Sequence, residues 1–304
     1  MRILVATDGS ECAEVAIDLV GSIDWPVDST INVVEAVSSG VAVFGGPWPP
    51  IAPVDTSRFD ESLRALAETH LADAAARLAA AGRAVETSAA AGRAADVIGA
   101  IAAEVSADLI VVGSRGHGTL ESMLLGSVSA EVVDRAHVPV LVARRRALGD
   151  VVFAWDGSEG AARAAAVMLD WGIFTASQVR VVSVADAEPR WWVDPSMIGE
   201  EAAAEAYALA AEPSHRQHQE MAQEMAERMI AAGLQAVPEC LDGDPATCIV
   251  DVAEATKAGL VVVGTRGRTG LARLLLGSVA RNVLHHAPCS VLVVHAPVEP
   301  ATAD

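Results

Sequence analysis

The sequence predicts an α/β protein built as two tandem units, 1–147 and 148–304, each a parallel sheet covered by helices on both faces. Three observations lead there. Short apolar runs alternate with longer, alanine-rich amphipathic stretches along the whole 304-residue chain. The alternation occurs twice in the same order. One glycine-framed stretch, G-x-x-G, nine residues, then G-S, runs from Gly113 to Ser127 and recurs from Gly264 to Ser278, 151 residues later. A single glycine-rich loop carries little information, whereas the same spacing in the same strand-loop-helix setting carries a great deal.

Taken in order, the apolar runs 2–7 and 151–155 each end in Asp-Gly-Ser (Asp8–Ser10, Asp156–Ser158) and pass into an alanine-rich amphipathic segment, the pattern of a strand, a turn and a helix. Second strands are expected at Ile31–Val37 and Val179–Val184. After each comes a stretch of aromatics and prolines, including Trp48 in the first repeat and Trp191 and Trp192 in the second; a lid, an interface patch and simple packing are all open to them. Long helices over about Asp60–Ala81 and Glu201–Ala232 close at Gly82 and Gly233. Third strands (Ala84–Ala90, Gln235–Leu241) lead into helices that end near Ser106 and Lys257. A fourth strand, the glycine stretch, a helix and a fifth strand complete each unit. The aspartates are 148 residues apart and the glycine loops 151, so the inserts of an old duplication differ slightly.

Composition narrows the function. A net charge of −19 disfavours nucleic acid or an anionic membrane as a partner, because both select basic surfaces. No apolar run approaches the ~18 residues of a membrane span, and the N-terminus lacks a signal-peptide layout, so a cytoplasmic location is expected. The four cysteines form no CxxC and suit a reducing compartment as core or surface thiols. Lys257 is the only lysine and lies far from either glycine loop, which argues against phosphate-loop or Schiff-base lysine chemistry.

The glycine stretches suit an anion. Gly113, Gly116 and Gly126, with Gly264, Gly267 and Gly277 in the second copy, let the backbone approach phosphate oxygens and direct N–H groups at them. Gly126-Ser127-Val128 and Gly277-Ser278-Val279 open helices whose free N–H groups and positive ends face the anion. Ser127 and Ser278 can cap those helices or bond a phosphate. Arg115 and Arg266, with Arg268, supply local positive charge or remain solvated; His117 holds the place of Arg268. The order of glycines in Gly113-x-x-Gly116-x-Gly118, and its place after the fourth strand, differ from the dinucleotide fingerprint and speak against NAD.

Strand-Asp-Gly-Ser at the start, together with G-x-x-G-x9-G-S before the last helix, resembles the universal stress protein family over nearly the whole chain, as two copies. The resemblance implies two five-stranded, Rossmann-related α/β sandwich domains that bind ATP at the strand C-termini. It also implies pairing of two units through their last strands, here Val140–Ala143 with Val291–Val294. By the same resemblance Asp8, next to Thr7, and Asp156 contact the adenosine, while Ala36 and Val184 correspond to backbone that recognises adenine. Asp8 and Asp156 have helix capping as a second role.

The two sites are not equivalent. Ser129 becomes Ala280, removing a hydroxyl that can face ribose or phosphate, and Thr7 becomes Trp155, which can stack on a base or fill part of the pocket. The first repeat is therefore expected to be the better site. His215 and His218 share a helix face but lack further metal ligands, so a solvated face is expected; His285-His286 reads as a helix end. With no catalytic base, nucleophile or metal-carboxylate cluster beside the loops, the leading reading is an ATP-binding stress-response regulator, with Mg²⁺ held mainly by the phosphates. A slow ATPase or nucleotide-transfer enzyme is the alternative from another class, and an interaction module with vestigial sites is a third. Either a homodimer or a monomer whose repeats pair is expected.

Overall fold

The computed structural model describes residues 1–37, 57–116, 125–185, 200–265 and 276–295, with only the backbone path for 200–211. The chain divides into two compact units, 1–148 and 149–296.

Unit 1 runs β1 (Arg2–Thr7), α1 (Glu11–Ser22), β2 (Thr30–Val37), α2 (Ser57–Ala80), β3 (Val85–Ala91), α3 (Ala94–Glu104), β4 (Leu109–Gly113), α4 (Ser127–Arg135) and β5 (Val140–Ala143). Its strands are parallel in the order β3-β2-β1-β4-β5. Val5 in the central strand pairs with Val33 on one side and Val111 on the other. Unit 2 repeats the plan: β6 (Val151–Ala154), α5 (Glu159–Asp170), β7 (Gln178–Ala185), α6 (Glu200–Ala231), β8 (Gln235–Asp242), α7 (Pro245–Ala255), β9 (Leu260–Gly264), α8 (Ser278–His286) and β10 (Ser290–Val294). The strand order is β8-β7-β6-β9-β10, again all parallel.

The central strands are buried on both faces, which is why they read as unbroken apolar runs rather than alternating ones. Ile3, Leu4 and Val5 are fully inaccessible, as are Leu109 and Val111. The helices that cover them bury one stripe each: α1 presents Ala13, Ala16, Ile17, Leu19 and Val20, and α5 presents Ala161, Ala164, Ala165 and Met168. Ser10 and Ser158 cap these helices, accepting hydrogen bonds from the N–H groups of Ala13 (3.3 Å) and Ala161 (3.2 Å). Asp8 and Asp156 are thus not the caps. Each instead accepts the N–H of the capping serine, at 3.0 and 2.9 Å, which holds the strand-to-helix turn.

The helices α2 and α6 end at Gly82 and Gly233, both at positive φ, in the expected places. No helix among the described residues is long and apolar enough to cross a membrane.

The order of the strands fixes where a site can form. From β1 the chain winds outward through β2 and β3, then returns to the other side of β1 for β4. The crevice at the carboxyl ends of β1 and β4 is the topological switch point of an open parallel sheet. The same holds at β6 and β9. Asp8 and Gly113 end one such pair, Asp156 and Gly264 the other.

Candidate functional site

In unit 1 all ten residues singled out from the sequence line one cavity of about 250 Å³: Thr7, Asp8, Ala36, Gly113, Arg115, Gly116, Gly126, Ser127, Val128 and Ser129. Val34, Ile98 and Val112 give it an apolar wall. Residues up to 122 positions apart meet there because β1, β2 and β4 all deliver their carboxyl ends to the switch point.

Close approach explains the glycines. A Cβ on Gly113 would stand 2.6 Å from the carbonyl oxygen of Cys12, so β4 seats against α1 only without a side chain. A Cβ on Gly116 would collide with Oδ2 of Asp8. The Asp8 carboxylate is thereby wedged between the Ser10 N–H and the loop backbone. Gly126 N–H donates to the Ser114 carbonyl at 2.7 Å, closing the loop on itself. That group is engaged within the protein, contrary to the expectation that Gly126 offers its N–H to an anion.

The N–H groups left over belong to the first turn of α4. Its first intrahelical bond runs from Ala130 N–H to the Gly126 carbonyl at 3.0 Å, and no side chain caps the turn. Gly126 is the capping residue, not Ser127, which is the first helical residue. The backbone N–H groups of Ser127, Val128 and Ser129 therefore lie at the positive end of a nine-residue helix bordering the cavity.

Ser129 departs from its expected role. Its hydroxyl is buried and donates to the Gly113 carbonyl at 2.6 Å, so it fastens the start of α4 to the end of β4 rather than facing a ligand as a donor. In unit 2 the matching residue, Ala280, is equally buried and cannot make the bond.

Unit 2 keeps part of the frame. A Cβ on Gly264 would clash with the backbone of Gly160, Gly277 N–H donates to the Thr265 carbonyl at 2.8 Å, and Gly277, not Ser278, is the uncapped N-terminus of α8. Val184 is buried in β7 and Val279 lies in the first turn of α8. Arg266, Gly267 and Arg268 lie outside the described residues, as do His117, Trp48, Trp191 and Trp192. Trp155 is half-buried, with its ring 5.9 Å from that of Phe153, and borders a groove against α6 together with Asp156.

Other sequence candidates resolve into structural roles. His218 is not on a solvated face: it is buried and hydrogen-bonded to Ser183 at 2.9 Å. His215 pairs with Asp242 at 2.9 Å. His286 closes α8, with Nδ1 2.8 Å from the Asn282 carbonyl. Burial pushes the Cys240 thiol up, with Asp242 adding to it. Burial likewise raises Cys248, reinforced by Asp251, Asp244 and Asp242. Neither thiol has the electropositive setting of a reactive thiolate. Sequence reasoning missed Arg77, which on α2 gathers Glu14 and Asp18, each at 3.0 Å; nothing in its local sequence marks it.

Comparison with known proteins gives the family and the fold. The universal stress protein family model matches residues 1–144 and again 148–295. Universal stress protein Rv1996 of Mycobacterium tuberculosis is 28% identical over 327 aligned positions, covering 99% of this chain and 97% of that protein. The crystal structure of a universal stress protein from Archaeoglobus fulgidus superposes with a TM-score of 0.67 at 22% identity, covering 97% of this chain and 98% of that one. Stronger but local similarity is found to universal stress protein MJ0531 of Methanocaldococcus jannaschii, 54% identical over 65 residues. That match spans 21% of this chain and 38% of the relative.

Proposed function

This chain belongs to the universal stress protein family as two tandem domains, and from that premise we propose that its first domain binds an adenine nucleotide, ATP, and that the protein acts as a nucleotide-dependent stress-response regulator. The observation that carries the reading is the convergence of ten residues on one cavity at the switch point, with an uncapped helix N-terminus at its edge.

The residues fit the group. The apolar wall of Val34, Ile98 and Val112, beside the backbone of Ala36, suits a purine. The Oδ2 side of Asp8 suits a ribose hydroxyl as donor. The N–H groups of Ser127, Val128 and Ser129, with Arg115, suit phosphate oxygens, and they counter locally the −19 charge of the chain. ATP would supply an anionic tail, which Arg115 and the first turn of α4 would hold. Bound Mg²⁺ is held mainly by the phosphates in this reading. The chain's own part is to bind and orient: the Ser129 bond fixes the phosphate side and the Asp8 turn fixes the ribose side. A nucleotide regulates only if it binds one conformation or partnered state better than another.

Calorimetric titration of nucleotide-free protein with Mg-ATP tests the proposal. Saturable binding that Gly116→Val removes is the expected result. An unaltered isotherm in Gly116→Val would contradict the site, and no heat from the parent protein would contradict the function.

A further inference from the structure

Unit 2 carries a groove of about 340 Å³ whose described lining, apart from Trp155 and Asp156 in the places of Thr7 and Asp8, differs from that of the unit 1 cavity. It lies between the end of β6 and the helix α6, bordered by Trp155 and Asp156 on one side and by Met221, Met225, Glu224 and Arg228 on the other. Among the described residues neither Gly264 nor the first turn of α8 borders it.

Comparison with unit 1 explains why the groove is open. The helices α2 and α6 correspond at a spacing of 151 residues, since Gly82 and Gly233 close them and Leu78 and Met229 are both fully buried. On that alignment Met221 stands where unit 1 has His70, Glu224 where it has Asp73, and Arg228 where it has Arg77. In unit 1 these groups satisfy one another. His70 lies against Gly9 and bonds both oxygens of Glu35 at 3.0 and 3.1 Å, and Arg77 is held by Glu14, Asp18 and Asp73. Unit 2 keeps the charges and loses their partners. α1 and α5 correspond at 148 residues through their capping serines, so Glu14 and Asp18 become Ala162 and Ala166, while Glu35 becomes Ser183, which is taken by His218. Among the described residues neither Glu224 nor Arg228 enters an ion pair.

An aromatic plate, two thioethers, two carboxylates and one guanidinium thus face a single groove. We propose that this groove is a second ligand site, specific to unit 2, for a zwitterionic aromatic molecule of the amino-acid class. The ring packs on Trp155 and the methionine sulfurs, the ammonium is received by Glu224 and the outer oxygen of Asp156, and the carboxylate is received by Arg228. A tilted contact with Phe153, 5.9 Å between ring centres at 44°, holds the plate in advance. Two carboxylates against one arginine make a triphosphate the wrong ligand here, so the inference stands apart from the nucleotide reading of unit 1.

The test is calorimetry of the full chain with phenylalanine, phenethylamine and Mg-ATP as probes. The expected result is saturable binding of one phenylalanine per chain, undiminished by saturating Mg-ATP and weakened at least about tenfold by Trp155→Ala. Because Trp155 is half-buried, exposed positions provide a check independent of folding. Arg228→Gln should weaken phenylalanine about tenfold and leave phenethylamine unchanged, whereas Glu224→Gln should weaken both. Absence of saturable phenylalanine binding at millimolar concentration overturns the proposal. So does competition by Mg-ATP, or equal effects of Arg228→Gln on both probes.

Discussion

The two units share strand order, helix caps and glycine seats, yet at the switch point they differ in what holds the loop. In unit 1 the Gly113 carbonyl receives the Ser129 hydroxyl, and Thr7 accepts the Gly9 N–H at 3.2 Å. In unit 2 the corresponding residues are Ala280 and Trp155, which can do neither. Across the sheet the difference reverses. The α2 side of unit 1 is locked by His70–Glu35 and the Arg77 network, while the α6 side of unit 2 opens into a groove. Duplication preserved the backbone and let the polar bonds that stiffen each crevice diverge. Crevices of different lining follow from bonds kept or lost, not from a change of fold.

The comparison breaks most severely where the units are alike. Gly113→Ala and Gly264→Ala each force a methyl group into the backbone of a packed helix and should destabilise the protein by about 3 kcal/mol, read as the shift in a urea midpoint. A large effect at one position and none at the other would show that the seats are not equivalent.

Next in size is Gly116→Ala. The new Cβ meets Oδ2 of Asp8, and nucleotide affinity should fall about 100-fold, ~2.7 kcal/mol, with little change in stability. Ser129→Ala is expected to weaken nucleotide binding about tenfold and stability by about 1 kcal/mol, as a buried hydrogen bond is lost. Its mirror, Ala280→Ser, should raise affinity at unit 2 if that bond is what the second loop lacks. No gain in an Ala280→Ser titration would move the cause elsewhere.

A smaller difference sits at the third helix of each unit. Asp244 caps α7, and hydrogen bonds from the Thr247 N–H and then its hydroxyl hold the Asp244 carboxyl below the usual carboxylate range. Arg93, at the same place before α3, provides no side-chain cap. A carboxyl whose folded pKa is depressed contributes stability above the unfolded value, about 3.9, and loses it as pH falls through the folded one. Acid titration followed by circular dichroism should show that loss in the parent and not in Asp244→Asn, which keeps a cap without the charge. Smallest is Arg77→Ala: its partners are solvent-exposed enough that the change should be less than about 1 kcal/mol and shrink further with salt.

Much of this was legible in the sequence, for a physical reason. Strand runs such as Arg2–Thr7 and helix stops such as Gly82 and Gly233 are local, set by propensity and by backbone conformations few residues adopt, and they stand within a few residues of expectation. The ten cavity residues were legible because the glycine spacing is a backbone requirement. Side-chain direction was not. That the Ser129 hydroxyl turns to Gly113, that Gly126 spends its N–H on Ser114, and that Ser10 rather than Asp8 caps α1 depend on atoms brought together only by folding. His218 misled because helical spacing identifies a shared face but not whether that face meets water or Ser183.

We propose one well-built nucleotide site per chain, in unit 1. Native mass spectrometry of the intact protein titrated with Mg-ATP counts the occupants directly. A single tight occupant is expected, lost in Gly116→Val and retained in the matching Gly267→Val. Two occupants of equal affinity would contradict the asymmetry, and none would contradict the nucleotide site itself.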